Sequence, residues 1–118
     1  MLDEFLMEAG LQSKQIMIYR VVVHHAKASA AFVAQYLSRE RTSTYKMMKQ
    51  MVSDGFLKMT RERGTTFFVA TSLEVIYQQF LQRYEQMNHL YKSYDAVQHE
   101  YQALVASDDH TTSVTLSS

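Results

Sequence analysis

Apolar positions follow three successive rhythms along the chain. Up to residue 56 they recur every three or four residues in four short runs, from 57 to 69 they alternate, and from 73 they return to 3–4 spacing and hold it. The first run, LDEFLMEA, sets Leu2, Phe5 and Leu6 on one side of a short helix that Gly10 ends. Ser13 is a cap for the second, whose Ile16, Tyr19, Val22 and Val23 keep helical spacing through His25. IMIYRVVVHH is rich in β-branched residues, so a buried strand is an alternative there; spacing and length favour helix. Ser29 caps a third run, AAFVAQYL, with Phe32, Val33, Tyr36 and Leu37 facing inward. After the connection SRER comes RTSTYKMMKQMVSDGF, residues 41–56. Thr42 or Ser43 caps this helix, Tyr45, Met48 and Val52 form its apolar stripe with Met51 beside them, and Gly55 ends it. Two short helices joined this tightly, the second exposing basic residues, give a helix-turn-helix pattern.

The alternating stretch is a hairpin. Leu57, Met59 and Arg61 alternate with Lys58 and Thr60, Thr66 to Val69 are strong strand formers, and Glu62-Arg63-Gly64-Thr65 makes the turn. A hairpin with arginines at its tip, directly after a helix-turn-helix, is a wing; the plainer reading is a hairpin that only covers the core. From residue 72 the pattern becomes a heptad, with Leu73, Phe80, Met87, Tyr94 and Tyr101 at a and Ile76, Arg83, Leu90, Val97 and Leu104 at d. Tyr77, Tyr84 and Tyr91 add a third row at e. A helix over 73–104 would be about 48 Å long at ~1.5 Å per residue, more than so small a domain needs. A pattern sustained for more than four heptads predicts a coiled coil, the alternative being a helix folded back on its own domain.

The chain has 118 residues, 47% of them apolar, enough for one folded domain with an extension. It contains no cysteine and no proline, and only three glycines, so disulfides and thiolate metal sites are excluded and helices run long. No apolar run of about 18 residues and no leader pattern occurs, so the chain reads as soluble and cytoplasmic, without a membrane partner.

The formal net charge of zero conceals a separation. Residues 1–37 balance three basic against three acidic side chains. Residues 38–64 carry Arg39, Arg41, Lys46, Lys49, Lys58, Arg61 and Arg63 against Glu40, Asp54 and Glu62, a net +4. Residues 65–118 carry net −4. Phosphate affinity depends on a local basic face, and the middle segment supplies one.

Other chemistry finds little support. His24 and His25 are adjacent and point to different sides of a helix, while His89, His99 and His110 are scattered, so no metal-ligand spacing exists. No phosphate-binding glycine loop, nucleophile elbow or paired-carboxylate arrangement is recognisable. The reading is therefore of a protein that is not an enzyme and needs no cofactor or metal. The eight methionines read as adaptable core. The tyrosine row on the long helix reads as interface packing, with a ligand pocket between helices as the alternative.

Taken together, these stretches resemble the N-terminal winged helix-turn-helix of the TrmB-like family of transcriptional regulators. The resemblance rests on Gly10-Leu11, Ser13-Lys14-Gln15 and Tyr19; on Ala28-Ser29-Ala30 before Val33-Ala34; and on Arg41-Thr42-Ser43-Thr44-Tyr45 followed by Met48, Met51 and Gly55. It covers roughly residues 5–70, and the long helix also fits that family's organisation. It implies a DNA-binding regulator. Glu40 departs from the pattern, standing where proline often begins the recognition turn. Larger members carry a C-terminal sugar-binding domain, for which no comparable stretch is present, so sugar sensing is not implied and no small-molecule effector is expected.

The expected fold is mainly α (α+β): a winged helix-turn-helix over 1–71, a coiled-coil dimerisation helix over 72–106 and a disordered tail over 107–118. The expected function is a dimeric, sequence-specific regulator of double-stranded DNA, cytoplasmic and nucleoid-associated. Ser43, Lys46, Lys49 and Gln50 would face the major groove. Arg41 and Thr42 would hold phosphates at the helix N-terminus, with Arg39 beside them, and Arg61, Arg63 and Thr65 would reach the flanking backbone or minor groove. The homodimer would form through Leu73, Ile76, Phe80, Met87, Leu90, Tyr94, Val97, Tyr101 and Leu104. Two other readings stay open: a winged-helix protein-interaction module, and a non-specific architectural or replication-associated DNA binder.

Overall fold

A computed structural model describes residues 1–111, with side chains through residue 107. The elements in order are α1 (Leu2–Glu8), α2 (Ser13–His25), β1 (Lys27–Ala28), α3 (Ala30–Tyr36), α4 (Arg41–Ser53), β2 (Leu57–Glu62), β3 (Thr65–Ala70) and α5 (Leu73–Thr111). The chain forms two compact units, Met1–Phe80 and the remainder from Leu81.

The first unit is a winged helix, its helices packed on a three-stranded antiparallel sheet of order β1-β3-β2. Local signals place most of the boundaries. Gly10 takes φ 110° after α1, and Ser29 Oγ accepts from the Phe32 N–H at 3.1 Å to start α3. Gly55, at φ 92°, closes α4, and Phe56 N–H returns to the Met51 carbonyl at 2.8 Å. A Cβ on Gly55 would stand 2.7 Å from Gln79 Oε1, the end of a flexible side chain that can swing aside, so it is the positive φ that ties the position to glycine. The cap of α2 is one residue earlier than Ser13: Gln12 is the N-cap, and its own N–H donates to Gln15 Oε1 at 2.8 Å.

The core is built by Leu6, Ile18, Val22, Val33, Met48, Met51, Leu57, Phe68 and Ile76, all essentially without solvent contact. Helical phase differs from the expected faces at three places. On α2, Ile16, Ile18, Tyr19, Val21 and Val22 are buried and Val23 is exposed, because this helix meets α1, α3, α4 and the sheet and so buries more than one stripe. On α3 the small residues Ala30 and Ala34 flank Val33 in the core, which lets α3 approach α4, while Phe32 and Tyr36 turn to the surface. On α4 the buried residues are Thr44, Met48 and Met51; Tyr45 is exposed and Val52 only partly covered. Thr44 tolerates the core because its hydroxyl donates to the Glu40 carbonyl at 2.8 Å.

Strand β1 has no counterpart in the sequence reading. Two residues are too few to show alternation, and Lys27 and Ala28 become a strand only by pairing with Val69 and Phe68. The β2–β3 hairpin has the expected place and a two-residue turn. At the chain's exit from the sheet, the buried Tyr19 hydroxyl donates to the Thr71 carbonyl at 2.6 Å, and burial raises its pKa. Ser72 Oγ then accepts from Val75 N–H at 3.2 Å as α5 begins.

The start of α5 belongs to the first unit, which changes the reading of its heptads. Ile76 is 1% exposed, and Phe80 packs half-buried against the same core. Ile76 is thus spent inside its own unit and is not a seam residue open to a partner. In the second unit Met87, Leu90, Tyr94, Val97, Tyr101 and Leu104 are all exposed. The helix continues to Thr111, past the expected boundary at 106; residues 112–118 of the expected tail lie outside the described residues. Among the described residues, no helix is long and apolar enough to cross a membrane.

Candidate nucleic-acid interface

Helix α4 buries Thr44, Met48 and Met51, so the helical period sends Arg41, Thr42, Ser43, Lys46, Lys49 and Gln50 to solvent. Beside its first turn lies an open groove of about 550 Å³ between α4, the start of α3 and the wing turn. Arg41, Thr42 and Tyr45 line one wall, Ser29 and Ala31 a second, and Thr65 with Thr66 the third. Arg41, Thr42 and Thr65, far apart in sequence, are therefore brought to one groove.

Several of these side chains are already oriented by neighbours. The Lys49 ammonium lies 5.6 Å from the centroid of the Tyr45 ring, a cation–π distance, and Tyr45 meets Phe68 edge to face at 6.1 Å. Gln50 Nε2 donates to Asp54 Oδ1 at 3.1 Å. Ser43 is largely used within the helix start, its hydroxyl donating to the Glu40 carbonyl at 3.2 Å. On the wing, Arg61 donates to Thr66 Oγ1 across the strand pair at 3.0 Å. Arg63 and Gly64 occupy the turn with φ 51° and 81°, the positive values a two-residue hairpin requires. The Lys27 ammonium pairs with Glu62 and sits 5.0 Å above the Phe67 ring, tying β1 to the wing.

One expected contact is corrected. The cap of α4 is neither Thr42 nor Ser43: Glu40 takes that position, and its carboxylate accepts from Ser43 N–H at 3.2 Å. Hydrogen bonds from Ser43, and behind them Thr42, hold the Glu40 carboxyl below the usual carboxylate value. The helix N-terminus thus already holds an anion, and Arg41 and Thr42 face the groove from beside a negative charge. Arg39 is turned toward α2, where its guanidinium donates to the Lys14 carbonyl and Met17 Sδ, each at 3.4 Å. These contacts link the helix-turn-helix turn to α2.

Tyr45 is the residue whose place in this groove the sequence concealed, because its i, i+3 spacing to Met48 reads equally as core. Its neighbour Lys49, one turn on, is the only signal that could have suggested it. The rings of His24 and His25 do not diverge; they meet edge to face at 4.8 Å. Among the described residues, no group of three or more His, Asp or Glu comes together as a metal site.

Comparison with curated proteins finds no match. Among solved structures, the fold is similar to HlyU from Vibrio cholerae N16961, with TM-score 0.52, 18% identity, and 69% of this chain and 88% of that chain covered. It is similar to the homodimeric winged helix-turn-helix DNA-binding domain of Mb0332 from Mycobacterium bovis, described as a possible ArsR-family transcriptional regulator (TM-score 0.52, 14% identity, 74% and 80% covered). It is also similar to overoxidized AbfR of Staphylococcus epidermidis bound to DNA (TM-score 0.53, 11% identity, 84% and 79% covered). At these identities the likeness is one of fold. A family model described as sugar-specific transcriptional regulator TrmB matches residues 6–74, which takes in α2 to β3 and the groove between α4 and the wing. This chain belongs to the TrmB family of transcriptional regulators, a family of regulators and not of enzymes.

Proposed function

We propose that this protein is a homodimeric, sequence-specific DNA-binding regulator acting in the cytoplasm at the nucleoid. The observation that carries the reading is the joint exposure of Arg41, Lys46, Lys49 and Gln50 on α4 beside a groove whose far wall is the wing. In this reading α4 enters the major groove. Lys46 and Gln50 meet base edges, Lys49 follows from its seat over Tyr45, and Arg41 and Thr42 approach a phosphate past the Glu40 carboxylate. Arg61, Arg63 and Thr65 reach the flanking backbone.

Dimerisation is assigned to the second unit. Met87, Leu90, Tyr94, Val97, Tyr101 and Leu104 keep 3–4 spacing and are 58–71% exposed, an apolar stripe that a second copy would cover. Membership of a regulator family and likeness to a homodimeric domain and to a DNA-bound regulator support both parts. Two copies would place two α4 helices on one duplex and favour a two-fold symmetric site.

The test is selection from a random-sequence duplex pool at two salt concentrations. Enrichment of a two-fold symmetric motif is the expected result. Salt-sensitive retention without enrichment would replace it with a non-specific architectural binder, and no retention at low salt would remove DNA binding altogether.

A further inference from the structure

A second surface lies on α2 and α3, and none of its residues lines the groove beside α4. A groove of about 380 Å³ runs between the two helices, with Met17, Val21, Tyr36 and Leu37 as its apolar lining and Arg20 and His24 at its edge. Met17 is 46% exposed and Tyr36 58%, large apolar areas for positions on a small folded unit. The lining is held in place. His25 donates from Nδ1 to the Val21 carbonyl at 2.9 Å, and its ring meets Phe32 and Tyr36 edge to face at 4.8 and 5.4 Å. Arg39 holds Met17 from the other end through its sulfur contact.

The segment that builds this groove is basic. Residues 9–39 contain Lys14, Arg20, Lys27 and Arg39, with His24 and His25, and not one Asp or Glu. Two acids pair into this set: Asp3 of α1, at 2.8 Å from Arg20, and Glu62 of the wing, with Lys27.

We infer that the α2–α3 groove is a docking site for an acidic amphipathic peptide segment of another protein. A Leu or Phe side chain fills the space between Met17, Val21 and Tyr36, and carboxylates on either side pair with Lys14, Arg20 and Arg39. Charge complementarity selects an acidic partner. The apolar lining selects a peptide over a nucleic-acid backbone, which is held mainly by polar donors and charges and gains nothing from Met17, Val21 and Leu37. The ordered aromatic stack lowers the entropy lost on docking. Because the two grooves share no lining residue, occupation of this one leaves α4 and the wing accessible, and the inference does not depend on the DNA-binding proposal.

The test uses the full chain and a synthetic helical peptide of about 14 residues, with Leu and Phe at i, i+3, i+4 and i+7 and Asp or Glu elsewhere. Its counterpart carries Lys in place of every acid. NMR should show the acidic peptide shifting the Met17 methyl and Tyr36 ring signals, with affinity falling as salt rises and at least tenfold weaker for the Lys counterpart. Tyr36→Ala and Met17→Glu, both at exposed positions, should each weaken binding at least tenfold while leaving oligomeric state and duplex retention as in the parent. No shift at Met17 and Tyr36 at about millimolar peptide would overturn the inference. So would shifts at those residues produced by a duplex in place of the peptide, which would make the surface a nucleic-acid face. A change of oligomeric state in Tyr36→Ala would make it a self-contact and overturn it equally.

Discussion

The carboxylate of Glu40 accepts the Ser43 N–H at 3.2 Å, so the helix that faces the candidate groove is started by an acid. The same oxygens that stabilise α4 place a negative charge beside Arg41 and Thr42. Helix start and anion binding thus compete for the same positive end of α4.

Replacing Glu40 with Ala should lower the thermal midpoint at neutral pH. The folded-state pKa of Glu40 is depressed, so its stabilisation is fully present above the ordinary carboxylate range and is lost as pH falls through the folded value. Thermal melts of parent and variant across pH should therefore differ at neutral pH and converge in acid. A difference that persists unchanged in acid would show that the ionised cap is not its source. Under the DNA-binding proposal, Glu40→Gln should also tighten retention of random duplex at low salt.

Arg63 has φ 51°, a left-handed conformation that Asn adopts more readily than Arg. Arg63→Asn should keep the hairpin and leave stability equal or slightly higher. Loss of one phosphate contact should weaken binding across all sequences and reduce the salt slope by about 1. Duplex titrations at several salt concentrations check it; an unchanged slope would move Arg63 away from the backbone.

Ser38 sits at φ 55° between α3 and α4, just after the Leu37 cap, where glycine would carry no Cβ penalty. Ser38→Gly should stabilise the first unit by about 0.5–1 kcal/mol, the penalty of a left-handed β-carbon less the added chain entropy. Urea unfolding would measure it, and a loss of stability would mean that the serine hydroxyl contributes more than the backbone strain costs.

Ile76 and Leu90 lie on the same heptad row and should behave differently. Ile76→Ala removes a side chain that is 1% exposed and should cost about 2–5 kcal/mol in the first unit. Leu90, 71% exposed, leaves that core alone. Leu90→Glu with Val97→Glu should shift sedimentation toward the monomer while preserving the folded first unit, with single-chain DNA affinity reduced to that of one half-site. A sedimentation profile equal to the parent's would take the dimer seam off the second unit.

How much the sequence determined follows from how local each signal is. Glycine at 10 and 55, the Ser29 cap, the two-residue turn around Gly64 and the exposure of Lys46, Lys49 and Gln50 depend on a few adjacent residues, and all are legible in the chain. The winged-helix class follows from their order. The tertiary structure decided what depends on approach between distant segments. It made a strand of Lys27 and Ala28 by setting them against Val69 and Phe68. It put Ala34 inside and Phe32 and Tyr36 outside, because α3 can come close to α4 only on small side chains. It drew Ile76 out of the heptad into the core, since periodicity tells which residues share a face but not what covers that face. It also let Glu40 take the cap from Thr42 and Ser43, because three residues can each supply an oxygen and only the folded turn selects the one that reaches Ser43 N–H.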